Sequence, residues 1–396
     1  MILTPTIHPF PARMAPELAL DALKALPQGS IVLDPMTGSG TVARQAQALG
    51  LTAYGFDLDP LAVLISKVAT TRIRDEEIEY ASKKLIVAVK EIPFSAIKLP
   101  WIDGDPDAER FVNFWFGEKQ RIDLRRIAYF LSNADQFNVT TDVADLLRVA
   151  LSRIIVTKKS AASLADDTSH SRPHRVAVES NFDVFEGFER SIRTLRKRVA
   201  GIPNIGVVAI GHGDARNLKS LSDACVDAVL TSPPYLNAID YMRGHRLSLI
   251  WLGHRYRDLS RARSNSIGSE RRPDHSFDVS AFQIIKNSIG QIEPLPSRYH
   301  GMIERYVVDL YTMVSEVSRI LKSGASATFV MGNSCLKGIF VQNSEALMAS
   351  AEMVGLRIRA RSERDLPSGS RYLPTPDSGS LSKRMRKEVI LTFQKS

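Results

Sequence analysis

Ile31-Val32-Leu33-Asp34-Pro35-Met36-Thr37-Gly38-Ser39-Gly40-Thr41 carries the fold of this chain. Three apolar β-formers run into an Asp-Pro break, two glycines follow at alternate positions, and helical periodicity returns at Val42, Ala43, Ala46 and Leu49. The pattern predicts a buried strand, a tight glycine turn and a helix. Upstream, Leu18, Leu20, Leu23 and Leu26 at near-helical spacing, with Pro16 where a first turn tolerates proline, predict a helix ahead of the strand. Downstream, residues 52–56 read as a second strand closed by Asp57, then Leu58-Asp59-Pro60 and a helix-like run over 61–69. Strand and helix alternating in this way predict a parallel, doubly wound α/β sheet.

The alternation stops near Arg72. Segments 76–89, 121–131 and 185–199 read as helices with no clear strand between them. This predicts a helical insertion, 73–203, dividing the sheet domain into 1–72 and 204–396. Within it, 157–175 is polar, Ser-rich and without periodicity, and reads as an exposed loop. Strands resume at 207–210, running into Gly213-Asp214-Ala215-Arg216, and at 226–230. A helix over 306–321 precedes a strand over 325–331, and 356–361 with 388–393 alternate like a terminal strand pair. The count is seven strands.

Composition limits the function classes. The chain has 396 residues, 44% hydrophobic and 24% charged, enough for a substantial core. Lys and Arg number 52 against 43 Asp and Glu, and the net charge of +9 favours a polyanionic partner. Cys225 and Cys335 have no paired spacing, so neither a disulfide framework nor a metal site is expected. The start, Met1-Ile2-Leu3-Thr4-Pro5, lacks a basic region followed by an apolar one, and no stretch approaches a membrane span. The expectation is a cytoplasmic protein with no membrane partner.

Gly38 and Gly40 let the backbone approach a ligand closely, because neither carries a Cβ. The third glycine of a dinucleotide fingerprint is absent, and no Gly-Lys-Ser or Gly-Lys-Thr follows, which sets aside phosphate-loop chemistry. Asp34 at the first strand's end would repel a pyrophosphate but suits a cationic or amino group. Asp57 stands where nucleotide-binding folds hold ribose hydroxyls. An adenosine with a positively charged amino-acid tail fits these residues better than NAD does. Asp57 and Asp59 also read as turn formers before a helix. Asp214 reads equally as an acceptor for an adenine amino group or as a turn aspartate.

The second informative stretch is Thr231-Ser232-Pro233-Pro234-Tyr235. Two prolines end the apolar strand 226–230 and forbid both ladder donation and a helix, leaving a rigid turn. In open α/β sheets such turns at carboxyl strand ends are where ligands bind. A Ser before the prolines and an aromatic after them offer a hydrogen-bond acceptor beside a stacking face, which suits a planar base with an exocyclic amine. The plainer readings are a proline turn that ends a strand and a packing aromatic at a loop base.

The glycine stretch, Asp57 and the Thr231–Tyr235 stretch together resemble the S-adenosylmethionine-dependent DNA amino-methyltransferases. His8-Pro9-Phe10-Pro11-Ala12-Arg13-Met14 is similar to the segment that in this family precedes the glycine motif and closes over the methionine end of the cofactor. The resemblance covers roughly 5–70 and 205–395. It implies a Rossmann-like seven-stranded methyltransferase sheet with the helical insertion between strands 2 and 3. It implies S-adenosylmethionine held by Phe10, Arg13, Asp34, Pro35, Thr37, Gly38, Ser39, Gly40, Thr41, Asp57, Leu58, Asp214 and Ala215. Ser232, Pro233, Pro234 and Tyr235 would carry catalysis. Ser at the first tetrad position is similar to the N4-cytosine enzymes, whereas Asp or Asn is usual in the N6-adenine enzymes.

An exocyclic amine has a delocalised lone pair, so an enzyme must accept its two hydrogens to favour a more tetrahedral nitrogen. Ser232 Oγ and the Pro233 carbonyl are the expected acceptors, and Tyr235 would stack on a flipped-out base. No Pro-Cys dipeptide occurs, against C5-cytosine chemistry through a thiolate. The layout departs from the family's usual one, since the large segment lies between strands 2 and 3 and not beside the tetrad. The insertion is a candidate DNA-recognition region. Arg255, Arg257, Arg261, Arg263, Arg271 and Arg272, in a basic loop spanning 254–300, are candidates for phosphate contact, beside a solvated-charge reading. A restriction endonuclease or defence-system partner and a homodimer stay open. Methylation of N6 of adenine in DNA, RNA base methylation and a non-catalytic nucleic-acid-binding role are the alternative readings to methylation of N4 of cytosine in DNA.

Overall fold

Val32 and Leu33 are completely buried because parallel strands flank β1 (Ile31–Asp34) on both sides. A computed structural model describes residues 6–10, 14–157, 161–166, 173–202, 205–236, 240–267, 279–365 and 387–396. The other strands of the main sheet are β2 (Thr52–Asp57), β3 (Val208–His212), β4 (Val226–Thr231), β5 (Leu321–Gly332), β6 (Leu356–Asp365) and β7 (Lys387–Lys395). Their order is β6-β7-β5-β4-β1-β2-β3. All neighbouring pairs are parallel except those of β7, which runs antiparallel to both β5 and β6. Helices cover both faces of the sheet, so β4 reads as a near-continuous apolar run and not as an alternating one.

From β1 the chain builds outward through β2 to β3, then returns to lay β4 and β5 on the other side of β1. The reversal puts the switch point between the carboxyl ends of β1 and β4, where such sheets bind ligands in a crevice. Both informative sequence stretches end there.

Helices α1 (Pro16–Leu23), α2 (Thr41–Ala48) and α3 (Pro60–Thr70) precede and follow the first two strands. Between β2 and β3 come α4 (Asp75–Glu91), α5 (Pro106–Trp115), α6 (Glu118–Ser132), α7 (Thr141–Ile155) and α8 (Val184–Val199). Their apolar faces join α3 in one core: Leu61, Ile65 and Val68 lie in the same buried cluster as Ile78, Leu85, Leu124, Leu147 and Phe188. Sequence periodicity missed α5 and α7. Helix α7 buries Val143, Leu146, Leu147, Val149, Ala150, Leu151, Ile154 and Ile155, so little polar stripe remains to reveal its period.

Two local expectations are corrected. Part of the supposed exposed loop is packed: Ala161, Ala162, Ser163 and Leu164 are buried, Ala162 N donates to Ile154 O at 2.8 Å, and Leu164 N donates to Trp115 O at 2.7 Å. Ala165–Asp166 then pairs antiparallel with His174–Arg175. Partners from distant helices supply the hydrogen bonds that the local sequence does not advertise. The supposed basic loop 254–300 contains α10 (Tyr256–Asn265) and α11 (Val279–Ser288), preceded by α9 (Tyr241–Leu249) and followed by α12 (Ser297–Ile320). Helix α10 buries only Leu259, too narrow an apolar face to show in the pattern. Helix α13 (Asn343–Met353) joins β5 to β6 behind a short hairpin pairing Ser334–Leu336 with Ile339–Val341.

Candidate active site

Gly38 and Gly40 both have positive φ, 52° and 78°, so the turn after β1 needs glycine on conformational grounds alone. Space adds a second reason at Gly40, where a Cβ would come within 3.1 Å of Ser66. Ser66 Oγ also donates to Gly38 O at 2.9 Å, which ties the turn to α3. Gly40 caps α2, so the turn opens directly onto the first N–H groups of that helix. Pro35, Thr37, Ser39 and Thr41 complete the turn, and Thr37 N donates to Phe56 O at 2.8 Å.

The acids meet at this turn. Asp34 is buried; its Oδ1 accepts from Thr231 Oγ1 at 2.7 Å and from Met36 N at 3.2 Å, while its Oδ2 has no hydrogen-bond partner among the described residues. Asp57 Oδ2 accepts from Gly38 N at 2.8 Å and its Oδ1 from Asp59 N at 2.9 Å, leaving lone pairs on each oxygen for a ligand. Burial pushes Asp34 up to about 7 against its hydrogen bonds, and the nearby Asp57 adds to the rise. Burial and the neighbouring Asp59 push Asp57 up to about 7 as well. Two carboxyls poised near neutrality at one turn fit a cationic ligand, which would draw both into the ionised form.

These shifts set a pH dependence. An acid whose folded pKa lies above its unfolded value of about 4 takes up a proton on folding. The stability it adds is complete below the unfolded value and is lost as pH rises through about 7. The thermal midpoint of the unliganded protein is therefore expected to drop between about pH 4 and 7 relative to an Asp34→Asn variant. Affinity for a cationic ligand should rise over the upper part of that window. Parallel melting curves for the two proteins would contradict the burial argument.

At the crevice's other wall, Ser232 follows β4 directly. Its Oγ lies 2.8 Å from the Val330 carbonyl oxygen on β5. A carbonyl only accepts, so the single hydroxyl proton of Ser232 is committed there and the oxygen presents lone pairs elsewhere. Pro233 is buried, and Pro234 and Tyr235 are half-buried. Burial, with the charge of Glu388 nearby, pushes the Tyr235 phenol up to about 12, so it stays neutral near pH 7. The Thr231–Asp34 bond joins the tetrad strand to the glycine-turn strand across the switch point.

Two side chains at this site, Tyr241 and His245, were not singled out from the sequence, and Asp59 was read only as a turn former. Asp59 caps α3, its Oδ1 accepting from Leu61 N at 2.9 Å, and its Oδ2 pairs with Nδ1 of the buried His245 on α9. Burial acts to raise the Asp59 pKa, but His245 and the backbone donors outweigh it and hold the group below its ordinary value. Phe10, Tyr241 and His245 form an aromatic cluster: the Phe10 and Tyr241 rings stack at 5.5 Å, and Phe10 lies 5.3 Å from His245. A Cβ on Gly38 would come within 3.4 Å of the Phe10 ring, so Phe10 lies against the turn. The preceding residues are anchored on the helical layer, with His8 Nε2 2.9 Å from Ser152 Oγ, Arg153 donating to Ile7 O and Arg198 donating to Thr6 O. The Asp59–His245 pair spans 186 residues, and no local signal announces it.

Asp214, just after β3, has both oxygens engaged by Arg216, at 2.9 Å to Nε and 2.7 Å to Nη2. Burial opposes its ionisation, yet the Arg216 guanidinium keeps the carboxyl below its ordinary range. Arg216 also reaches Asp309 at 2.6 Å, so the carboxylate belongs to an ion-pair network in addition to any ligand role. Ala215 is buried beside it, and the Leu58 carbonyl is 3.0 Å from His212 Nε2. Arg255 and Arg257 are exposed at the start of α10. Arg261 is exposed too, with Asp258 3.8 Å away, a weak surface pair. Arg263 is not a free cation: its Nε is 2.6 Å from Asp240 Oδ2, the cap of α9. Arg13, Arg271 and Arg272 lie outside the described residues.

A seven-stranded sheet of this order with one antiparallel strand, a glycine turn after β1, an acid closing β2 and a proline tetrad closing β4 defines the Rossmann-like methyltransferase class. No family model matches the chain. It is homologous to type II methyltransferases: it is 23% identical to type II methyltransferase M.MvaI of Kocuria varians, over 99% of this chain and 91% of that protein. It is 25% identical to M.BsoBI of Geobacillus stearothermophilus, over 84% and 74%, and 22% identical to M.AvaI of Anabaena variabilis, over 83% and 73%. Among the described residues there is no cluster of three or more metal-ligating side chains, and no helix is long and apolar enough to cross a membrane.

Proposed function

We propose that this chain methylates the exocyclic N4 of cytosine in DNA, with S-adenosylmethionine as methyl donor. The observation that carries the reading is the Ser232–Val330 hydrogen bond, which leaves Ser232 Oγ able only to accept at the mouth of the switch-point crevice. Homology to type II methyltransferases along nearly the whole chain and the +9 charge support a DNA substrate.

The cofactor fits the residues present. Asp34 Oδ2 is available to its amino group, the free lone pairs of Asp57 to its ribose, and the two glycines admit it to the backbone. When bound, it supplies an electrophilic methyl on a sulfonium. The residues of the chain do the rest. Ser232 Oγ and the Pro233 carbonyl accept hydrogen bonds from the two amine hydrogens, which localises the nitrogen lone pair; one of these hydrogens is replaced by the methyl and leaves as a proton to solvent, and the neutral Tyr235 ring stacks on the base. Arg255, Arg257 and Arg261 on the exposed side of α10 contact phosphates, which makes affinity fall with salt.

Labelled methyl transfer to duplex DNA, followed by nucleoside analysis, tests the proposal. N4-methylcytosine is the expected product. N6-methyladenine alone would overturn the choice of base, labelling of RNA in place of DNA would overturn the substrate, and cofactor binding without any transfer would overturn the enzyme reading.

A further inference from the structure

The tetrad is gripped from β5 and its hairpin at both ends. At the near end Ser232 donates to Val330 O at 2.8 Å. At the far end Ser334 Oγ donates to the carbonyl of Leu236, the residue after Tyr235. Ser334 has no freedom to turn away. Its oxygen accepts from Asn343 Nδ2 at 2.8 Å, so its own proton is directed to Leu236. Asn343 Nδ2 also donates to Gly332 O at 2.9 Å, which fixes the last residue of β5. Alongside, Ser344 N donates to Asn333 Oδ1 at 3.0 Å.

Asn343 is fully buried, and its Oδ1 has no hydrogen-bond partner among the described residues. A buried amide with one end unpaired is a poor way to stabilise a core, since an unsatisfied polar atom costs about 1–3 kcal/mol. What this amide does accomplish is to orient one hydroxyl and to hold the end of β5.

We propose that Ser334 and Asn343 are positioning residues for the methyl acceptor. They hold the Leu236 carbonyl, and through it the Pro234-Tyr235 backbone, in register with Ser232. The inference rests on the reading of Ser232 to Tyr235 as the base site. Loss of the grip lets the stacking ring and the amine acceptors drift apart, and misplacement of about 1 Å lowers rates by up to about a hundredfold.

Full-length wild type, Ser334→Ala, Ser334→Thr and Asn343→Asp are compared for kcat, for KM toward DNA and cofactor, and for thermal midpoint. Ser334→Ala is expected to lose about 10- to 100-fold in kcat with both KM values within about twofold. Ser334→Thr, which keeps the hydroxyl, should recover most of the rate, and Asn343→Asp, which loses both donors, should resemble Ser334→Ala. An unchanged kcat in Ser334→Ala beside an active wild type overturns this inference alone. So does a threonine variant as slow as the alanine one. A wild type that binds cofactor but modifies no DNA overturns the proposed function beneath it.

Discussion

Ser232→Ala is expected to lower methyl transfer to DNA by about two to three orders of magnitude in kcat, the usual effect of deleting one preorganised polar group at a reacting centre. Cofactor affinity should remain within about threefold, because Asp34, Asp57 and the glycine turn are untouched. The size of the effect follows from the role proposed for the hydroxyl. Its proton is held by the Val330 carbonyl 2.8 Å away, so its lone pairs are pre-aimed and no reorganisation is needed as the amine pyramidalises. Alanine removes the acceptor and leaves the carbonyl of a buried residue without its side-chain donor, a cost of about 1 kcal/mol in stability. That small loss separates folding from chemistry. A variant with wild-type kcat, or one whose loss appears entirely as weaker cofactor binding in calorimetry, would remove Ser232 from the chemistry.

Asp57→Ala should act on the other ligand. The carboxylate holds Gly38 N at 2.8 Å and Asp59 N at 2.9 Å, so its removal strands two backbone donors at the turn as well as the proposed ribose acceptors. A hydrogen bond to a charged carboxylate is worth about 1.5–3 kcal/mol, and 1.4 kcal/mol is about tenfold in affinity, so the lost ribose contacts and the loosened turn weaken binding together. The cofactor Kd is expected to rise by about a hundredfold or more, measured by titration calorimetry near pH 8, where the wild-type acid is ionised. Asp57→Asn should recover little, since its amide nitrogen would face one of the two N–H donors. DNA affinity at low salt, which the proposed function assigns to Arg255, Arg257 and Arg261, should stay unchanged. A Kd within about threefold of wild type would reduce Asp57 to the turn former that its sequence context also allows.

The parts of the site that were legible are those encoded locally. Backbone rules give the turn at Gly38 and Gly40, the proline break after Thr231 and the acid closing β2 their meaning without knowledge of any partner. The aromatic at Phe10 was readable as part of a motif. Arg263 was not readable as an ion-paired residue, because Asp240 reaches it from 23 positions away across the start of α9. Nor was Asp214 readable as a partner of Arg216 and, through it, of Asp309 on α12. Residues 161–164 read as exposed because a short Ser- and Ala-rich run resembles a loop until Ile154 and Trp115 supply its hydrogen bonds.

Order along the chain therefore settled the α/β class, the strand count and the two ends of the crevice, because short-range sterics and periodicity need only neighbouring residues. Placement of Thr231 against Asp34, Ser232 against Val330, Ser334 against Leu236 and Asp59 against His245 came from the packed sheet. Those pairs are separated by 197, 98, 98 and 186 residues. A hydrogen bond acts over about 3 Å of space and is indifferent to sequence distance, so the reversal of strand order at β1 is what turns two local motifs into one site.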